Sequence, residues 1–297
     1  MTDAVLEVDG ISKRYGAVLA LDDVSITARA GELVGLGGHV GAGRTTAIRI
    51  GAGVLAADSG RVRWRSAPID PGTRRRIGYL PALGGLYPEL TVLDQLVHRA
   101  ELHGFDVNEA HQHAELWLDR LHLRALRPRR TKILSTDERR LIALVATLLP
   151  GPELLLLDEP FAGASPTGVQ TMVELLREQV AADVPVLLSS SDFSDIERFC
   201  DRAAILRGGQ IVASGTICEL VSGGPRLLRV DAPDSAPGWG DGVPGCRTVD
   251  TDGSHALLEL TDDADDQAVL NAALAAGPVH EFTMVRRTLT ELFGGGR

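Results

Sequence analysis

At 297 residues with 44% apolar side chains, the chain is long enough for one large packed domain and a smaller one. A formal charge of −10 argues against a dedicated nucleic-acid binder, and the longest nearly charge-free apolar stretch, residues 141–150, is too short to span a bilayer. Cys200, Cys218 and Cys246 are far apart and form no paired motif, which fits a reduced compartment and neither a disulfide framework nor a zinc site. With no basic-then-apolar leader at its start, the chain reads as a soluble cytoplasmic protein.

Residues 5–8 predict a first strand. Tyr15 follows just before a glycine turn, where its ring is either a platform for a nucleotide base or a half-buried loop side chain. Val24, Ile26 and Ala28 alternate with polar residues as a second strand. Residues 33–36 are a candidate buried strand, and a glycine-rich turn leads from them into a helix over 45–50. The turn and helix start comprise Gly38, His39, Val40, Gly41, Ala42, Gly43, Arg44, Thr45 and Thr46. Their spacing is that of a phosphate-binding loop, with Arg44 in the lysine place. Glycines let backbone N–H groups curl around phosphate oxygens, and the helix N-terminus adds partial positive charge. The cation neutralises the β- and γ-phosphates, and the Thr45 hydroxyl can ligate Mg²⁺. Such turns also occur as plain connections, so the loop needs support from elsewhere in the chain.

Residues 58–60 turn into a strand over 61–65, residues 68–72 make another turn, and residues 77–80 form a short strand. Then Leu93, Leu96 and Val97, followed by Leu116, Leu118 and Leu121, fall at helical spacing and predict a helical subdomain over about residues 88–145. The basic run 124–132 reads as a solvated surface. In residues 152–160 four leucines make a fully buried parallel strand that ends on two acids. A carboxylate at the C-terminal end of such a strand sits where doubly wound sheets bind ligands. Asp158 would hold Mg²⁺ through water and Glu159 would polarise an attacking water; the plain alternative is an acidic turn after a core strand. Val169, Met172, Val173 and Leu176 form a helix face, residues 186–188 a buried strand ending in three serines, and 203–206 with 211–213 a hairpin through Gly208 and Gly209. Strands alternating with helices predict a mostly parallel α/β core. Residues 222–225 mark the clearest boundary, with one domain over 1–222 and a small acidic α+β module over 226–297. That module should hold strands near 227–230, 256–260 and 279–284, a helix near 266–275, and a Pro/Gly/Asp-rich linker over 232–245.

Over residues 4–220 the landmarks occur in a fixed order: KRYG, the phosphate loop, IGYLP before LYPELTVLDQL, LS before RRLIALVATLL, LLLLDEP, and LLSS before ERFCDRAAILRGGQIVASGT. In this order they resemble the ATP-binding subunit of an ABC transporter, in the branch serving exporters of drugs, antibiotics, lipids or polysaccharides. The C-terminal extension, with VRRTLTELF near its end, is similar to those of that branch. The resemblance implies a phosphate-loop NTPase core of the ABC type with a helical subdomain, binding ATP with Mg²⁺. It implies nucleotide contacts from Tyr15 and residues 38–46, metal contacts from Thr45 and Asp158, and catalysis by Glu159. It also implies a head-to-tail dimer with a second ATP-binding subunit, the same or different, and no nucleic-acid partner. Each ATP would lie between one subunit's phosphate loop and the other's signature. Membrane permease subunits would ride on top, near Leu86, Tyr87, Pro88 and Leu90, holding the protein at the inner face of the cell membrane.

Departures from the family pattern cluster in the catalytic motifs. Arginine keeps the charge at position 44, but its planar fork is a poor substitute for a compact ammonium. The glutamine expected after IGYLP is Ala82, the aspartate expected after the DEP turn is Ser165, and the switch histidine is Ser191. The LSGGQ signature reads Leu134-Ser135-Thr136-Asp137-Glu138. A carboxylate at Asp137, about 4 Å from a partner's phosphate at an effective dielectric near 20, would cost roughly 4 kcal/mol. Tyr15, Thr45, Asp158 and Glu159 remain, so the binding surface is mostly kept and the machinery for closing and firing largely lost. Three functions stay open: a regulatory or structural half with weak or absent hydrolysis, which we favour; a fully active subunit powering export; and an ABC-like protein working away from membranes.

Overall fold

The computed structural model describes residues 4–222, 226–232, 239–261, 263–285 and 287–295. It divides into two compact units, Met1–Thr216 and Ile217–Arg297. In the first, β1 (Ala4–Tyr15) and β2 (Val18–Arg29) form a long antiparallel hairpin, followed by β3 (Leu33–Gly37), α1 (Arg44–Gly51), β4 (Ser59–Trp64) and β5 (Ala67–Pro68). Next come α2 (Pro71–Arg74), β6 (Ile77–Leu80), α3 (Val92–Leu102), α4 (Val107–Arg120) and α5 (Thr136–Leu148). The unit closes with β7 (Leu154–Asp158), α6 (Pro166–Ala181), β8 (Val186–Ser190), α7 (Phe193–Phe199), β9 (Arg202–Arg207) and β10 (Gln210–Thr216).

Six strands form the central sheet in the order β10-β9-β3-β8-β7-β6, parallel except for the β9–β10 hairpin. The uninterrupted apolar runs of β3 and β7 are buried at every position, as covered parallel strands require. Register places Gly37 beside Ser190, and Asp158 beside Ser189, so three strands end together at one edge. A second, antiparallel sheet runs β2-β1-β4-β5.

The helical part has its own apolar cluster, from Val92 through Leu118 to Leu149. Its helices begin where the chain offers caps. The Thr91 hydroxyl accepts from the Asp94 N–H, and Asp106 with Glu109 and Ser135 with Glu138 form reciprocal capping boxes. The basic run faces outward but is not merely solvated. Arg124 pairs with Asp119, Arg127 with Glu115, Arg129 with Glu138, and Arg130 and Lys132 with Glu89. The turn expected over 68–72 instead contains the short α2, because Asp70 caps it and Pro71 supplies a preset φ. Helix α7 also lies outside the sequence expectation; seven residues are too few for a periodic signal.

The second unit contains α8 (Ile217–Ser222), β11 (Arg226–Asp231), β12 (Cys246–Asp252), β13 (His255–Leu260), α9 (Asp266–Ala276), β14 (Glu281–Val285) and α10 (Leu289–Phe293). Its antiparallel sheet runs β12-β13-β11-β14 and packs Leu228, Val230 and Leu258 against Val269 and Ala273. Most of the expected boundary (223–225) and part of the expected linker (233–238) lie outside the described residues.

Candidate nucleotide site

The phosphate loop is closed from behind by two approaches that only glycine permits. Gly43 has φ of 110°, and a Cβ there would stand 2.4 Å from the Ala20 carbonyl oxygen on β2. A Cβ on Gly38 would stand 2.4 Å from the Leu206 carbonyl oxygen on β9. The loop therefore lies tight on its own sheet and opens outward, with Val40 at its tip 90% exposed. Within it the Ala42 N–H donates to the His39 carbonyl at 3.0 Å, and the His39 ring sits edge-on to Phe193 at 5.7 Å. Gly43 caps α1 without any side chain, and no acid stands in the first turn. The leading N–H groups, those of Arg44, Thr45 and Thr46 among them, thus keep the helix's positive end for an anion.

Arg44 is buried, at 8% exposure. Its Nη1 donates to the His39 carbonyl at 2.9 Å and its Nη2 to Glu159 Oε1 in a close ion pair, so the loop cation is joined to the carboxylate expected to act on water. Glu159 holds a left-handed backbone, φ 50°, fixed by its N–H donating to Ser189 Oγ at 3.0 Å. Its Oε2 lies 3.3 Å from the Ser191 N–H and 3.4 Å from the Ser191 hydroxyl.

Asp158 is fully buried. Its Oδ1 accepts from Thr45 Oγ1 at 3.1 Å and from Ser189 Oγ at 2.7 Å, whereas Oδ2 is buried with no hydrogen-bond partner among the described residues. A buried carboxylate oxygen without a donor calls for a cation or water. The pair Thr45 and Asp158 therefore fits Mg²⁺ carried in on a phosphate, the usual way this ion is held. Ser189 escaped the sequence reading as a functional residue. Its signal was the run of three serines ending a buried strand, since a buried hydroxyl must find partners.

The structure separates other expected residues from this cluster. Tyr15 stands at the hairpin tip, 47% exposed, with the Lys13 ammonium 5.9 Å from its ring; among the described residues it makes no hydrogen bond or ring contact with the loop. Ala82 offers its carbonyl to Arg140 Nη1 at 2.7 Å, and Arg140 Nε also donates to the Ala162 carbonyl at 3.2 Å. Asp137 lies against Ser165. It accepts from the Ser165 N–H at 2.7 Å and from the Ser165 hydroxyl, so its charge is turned into its own chain. These two donors, hydroxyl first, hold its carboxyl below the usual carboxylate range.

Residues 21–162 match the family model of the ABC transporter, and residues 222–294 match that of the C-terminal domain of DrrA1-3-like ATP-binding proteins. The chain is 33% identical over 231 residues to the uncharacterized ABC transporter ATP-binding protein YhaQ of Bacillus subtilis, covering 77% of this chain and 78% of that one. It is 30% identical over 224 residues to the lipopolysaccharide export system ATP-binding protein LptB of Escherichia coli, covering 73% and 93%. Among solved structures, an ATP-binding subunit of an ABC transporter superposes with a TM-score of 0.67 at 29% identity, covering 74% of this chain and 92% of that one. No helix among the described residues is long and apolar enough to cross a membrane. A glycine-bound loop with an open helix end, a buried aspartate at the end of β7 and these likenesses agree: the chain belongs to the ABC transporter ATP-binding proteins, as a nucleotide-binding subunit.

Proposed function

We propose that this subunit binds Mg-ATP through residues 38–46, Thr45 and Asp158, with the exposed ring of Tyr15 offered to the base. It works on membrane permease subunits, in a dimer with a second ATP-binding subunit, as a regulatory or structural half in which hydrolysis is weak or lost. The likeness to LptB, the ATP-binding protein of a lipopolysaccharide export system, supports an exporter.

The observation that carries the reading is the Arg44–Glu159 ion pair. A general base must present an oxygen to water. Here Oε1 takes the guanidinium and Oε2 faces both donors of Ser191, so each oxygen is held by the chain itself. Losing a positioned group that orients water typically lowers a rate by about 10²- to 10⁴-fold. Groups that act as a unit are not repaired singly. Mg-ATP at a hundred times its Kd should stabilise the fold by about 2.7 kcal/mol, read as a rise in Tm, while turnover stays far below an ordinary member of the family. Arg44→Lys or Ser191→His alone should leave turnover low. A parent chain that hydrolyses ATP at an ordinary rate, abolished by Glu159→Gln, overturns the reading; an unmoved melt overturns nucleotide binding itself.

For the permease, an open groove offers Tyr87, Pro88, Leu90 and Val97, rimmed by Asp94 and Glu101. Gln95, itself buried, accepts from the Tyr87 N–H at 2.7 Å and fixes the loop so that the Tyr87 ring stays 54% exposed. Leu86 packs instead against the helical cluster. An exposed apolar groove on a fixed loop supports a docking role. Tyr87→Asp should abolish co-purification with the permease without moving Tm; unchanged co-purification counts against it.

A further inference from the structure

Two departures from the family pattern, Asp137 in the signature and Ser165 after the DEP turn, lie 28 residues apart and touch. Ser165 is the N-cap of α6, where its Oγ accepts from the Gly168 N–H at 3.2 Å. Its own N–H and hydroxyl both donate to the Asp137 carboxylate. The negative charge therefore reaches the start of a 16-residue helix through the serine rather than from residue 165 itself. Room for it has been cleared. A Cβ on Gly168 would stand 2.8 Å from Asp137 Cγ and 2.9 Å from its Oδ1, so α6 carries glycine in its first turn, where alanine would otherwise be favoured.

We infer that Asp137 is a positioning residue: from the first turn of α5 it supplies the carboxylate that position 165 lacks, and the two substitutions form one reciprocal exchange. A chance surface hydrogen bond explains neither the two donors on one carboxylate nor the helix glycine beneath it. What the contact positions is the turn from Glu159 to Ser165. Asp137 holds that turn at its end and Arg140, one turn further along α5, holds it at the Ala162 carbonyl. Restoring glycine at 137 alone therefore releases the turn that follows Glu159. Restoring aspartate at 165 alone sets two carboxylates against each other within hydrogen-bond reach.

The test is a reciprocal-exchange cycle on the full chain: parent, Asp137→Gly, Ser165→Asp and the double variant, with Asp137→Asn as the shape-conserving control. Each single change should lower Tm by about 3–6 °C, and the double should regain most of the loss. Asp137→Asn, which keeps one acceptor but no charge, should fall between. The affinity arm rests on the nucleotide-binding reading above. Measured well below Tm, the Kd for Mg-ATP should rise several-fold in each single variant and recover in the double, which a purely structural contact would not produce. Additive losses in the double variant overturn the exchange, and an unchanged Kd in both single variants overturns the positioning role. A parent that binds no Mg-ATP defeats the nucleotide reading instead, while the melting cycle still decides whether the exchange exists.

Discussion

Helices α1 and α5 start in the two motifs that a composite ATP site would draw on, and their first turns are finished in opposite ways. Helix α1 has a glycine cap, no side chain on its leading N–H groups and no acid in its first turn. Helix α5 has a Ser135–Glu138 capping box, Asp137 bound to Ser165 and Glu138 bound to Arg129. A helix end left open is an anion site, whereas one filled by its own side chains is a structural joint. The same backbone physics thus gives the two helix ends different capacities.

Three substitutions break or sharpen that contrast. The largest effect is expected at α1 from Arg44→Ala, which leaves the mostly buried Glu159 without its paired guanidinium. Breaking a buried pair this way costs about 3 kcal/mol or more, read by chemical denaturation. A loss under about 1 kcal/mol would show that the pair is idle. At α5, Ser135→Ala removes one half of the capping box and should cost about 1 kcal/mol while leaving the chain's own Mg-ATP affinity unchanged. A large fall in affinity would erase the distinction between the two ends.

The smallest effect is expected at Asp195, in the cavity beside Glu159. Burial first, then the charges of Asp192 and Glu159, raise its carboxyl from 3.8 to about 6. The folded chain holds this proton more tightly than the unfolded one, so stability falls as pH rises from about 4 to about 6 and stays lower above. Asp195→Asn should therefore raise the stability slightly at pH 7.5, by under about 1 kcal/mol given its partial exposure, and leave it unchanged below pH 4. Equal gains at both pH values would mean that packing, not charge, is responsible.

Much of the scaffold could be read from local pattern. The buried runs of β3 and β7 announce themselves by composition, and glycine spacing announces the loop. Contacts that set the chemistry could not be read this way. Arg44 meets Glu159 across 115 residues and Asp137 meets Ser165 across 28, and no periodicity encodes which of several acids a cation will find. The pairing of Asp137 with Ser165 escaped the sequence for that reason. Strand β12 was missed for another. Most of its residues are exposed, and its register with β13 shifts between Thr248 and Asp250, so it shows no clean alternation of apolar and polar residues.

Glu159 sits in a left-handed backbone conformation that favours glycine or asparagine. Replacement by either would relieve strain of about 1–3 kcal/mol. Arg44 opposes it, because an arginine left alone in that buried position is worse than a strained glutamate. The ion pair thus holds a strained backbone in place, with two side chains 115 residues apart in sequence each fixing the other.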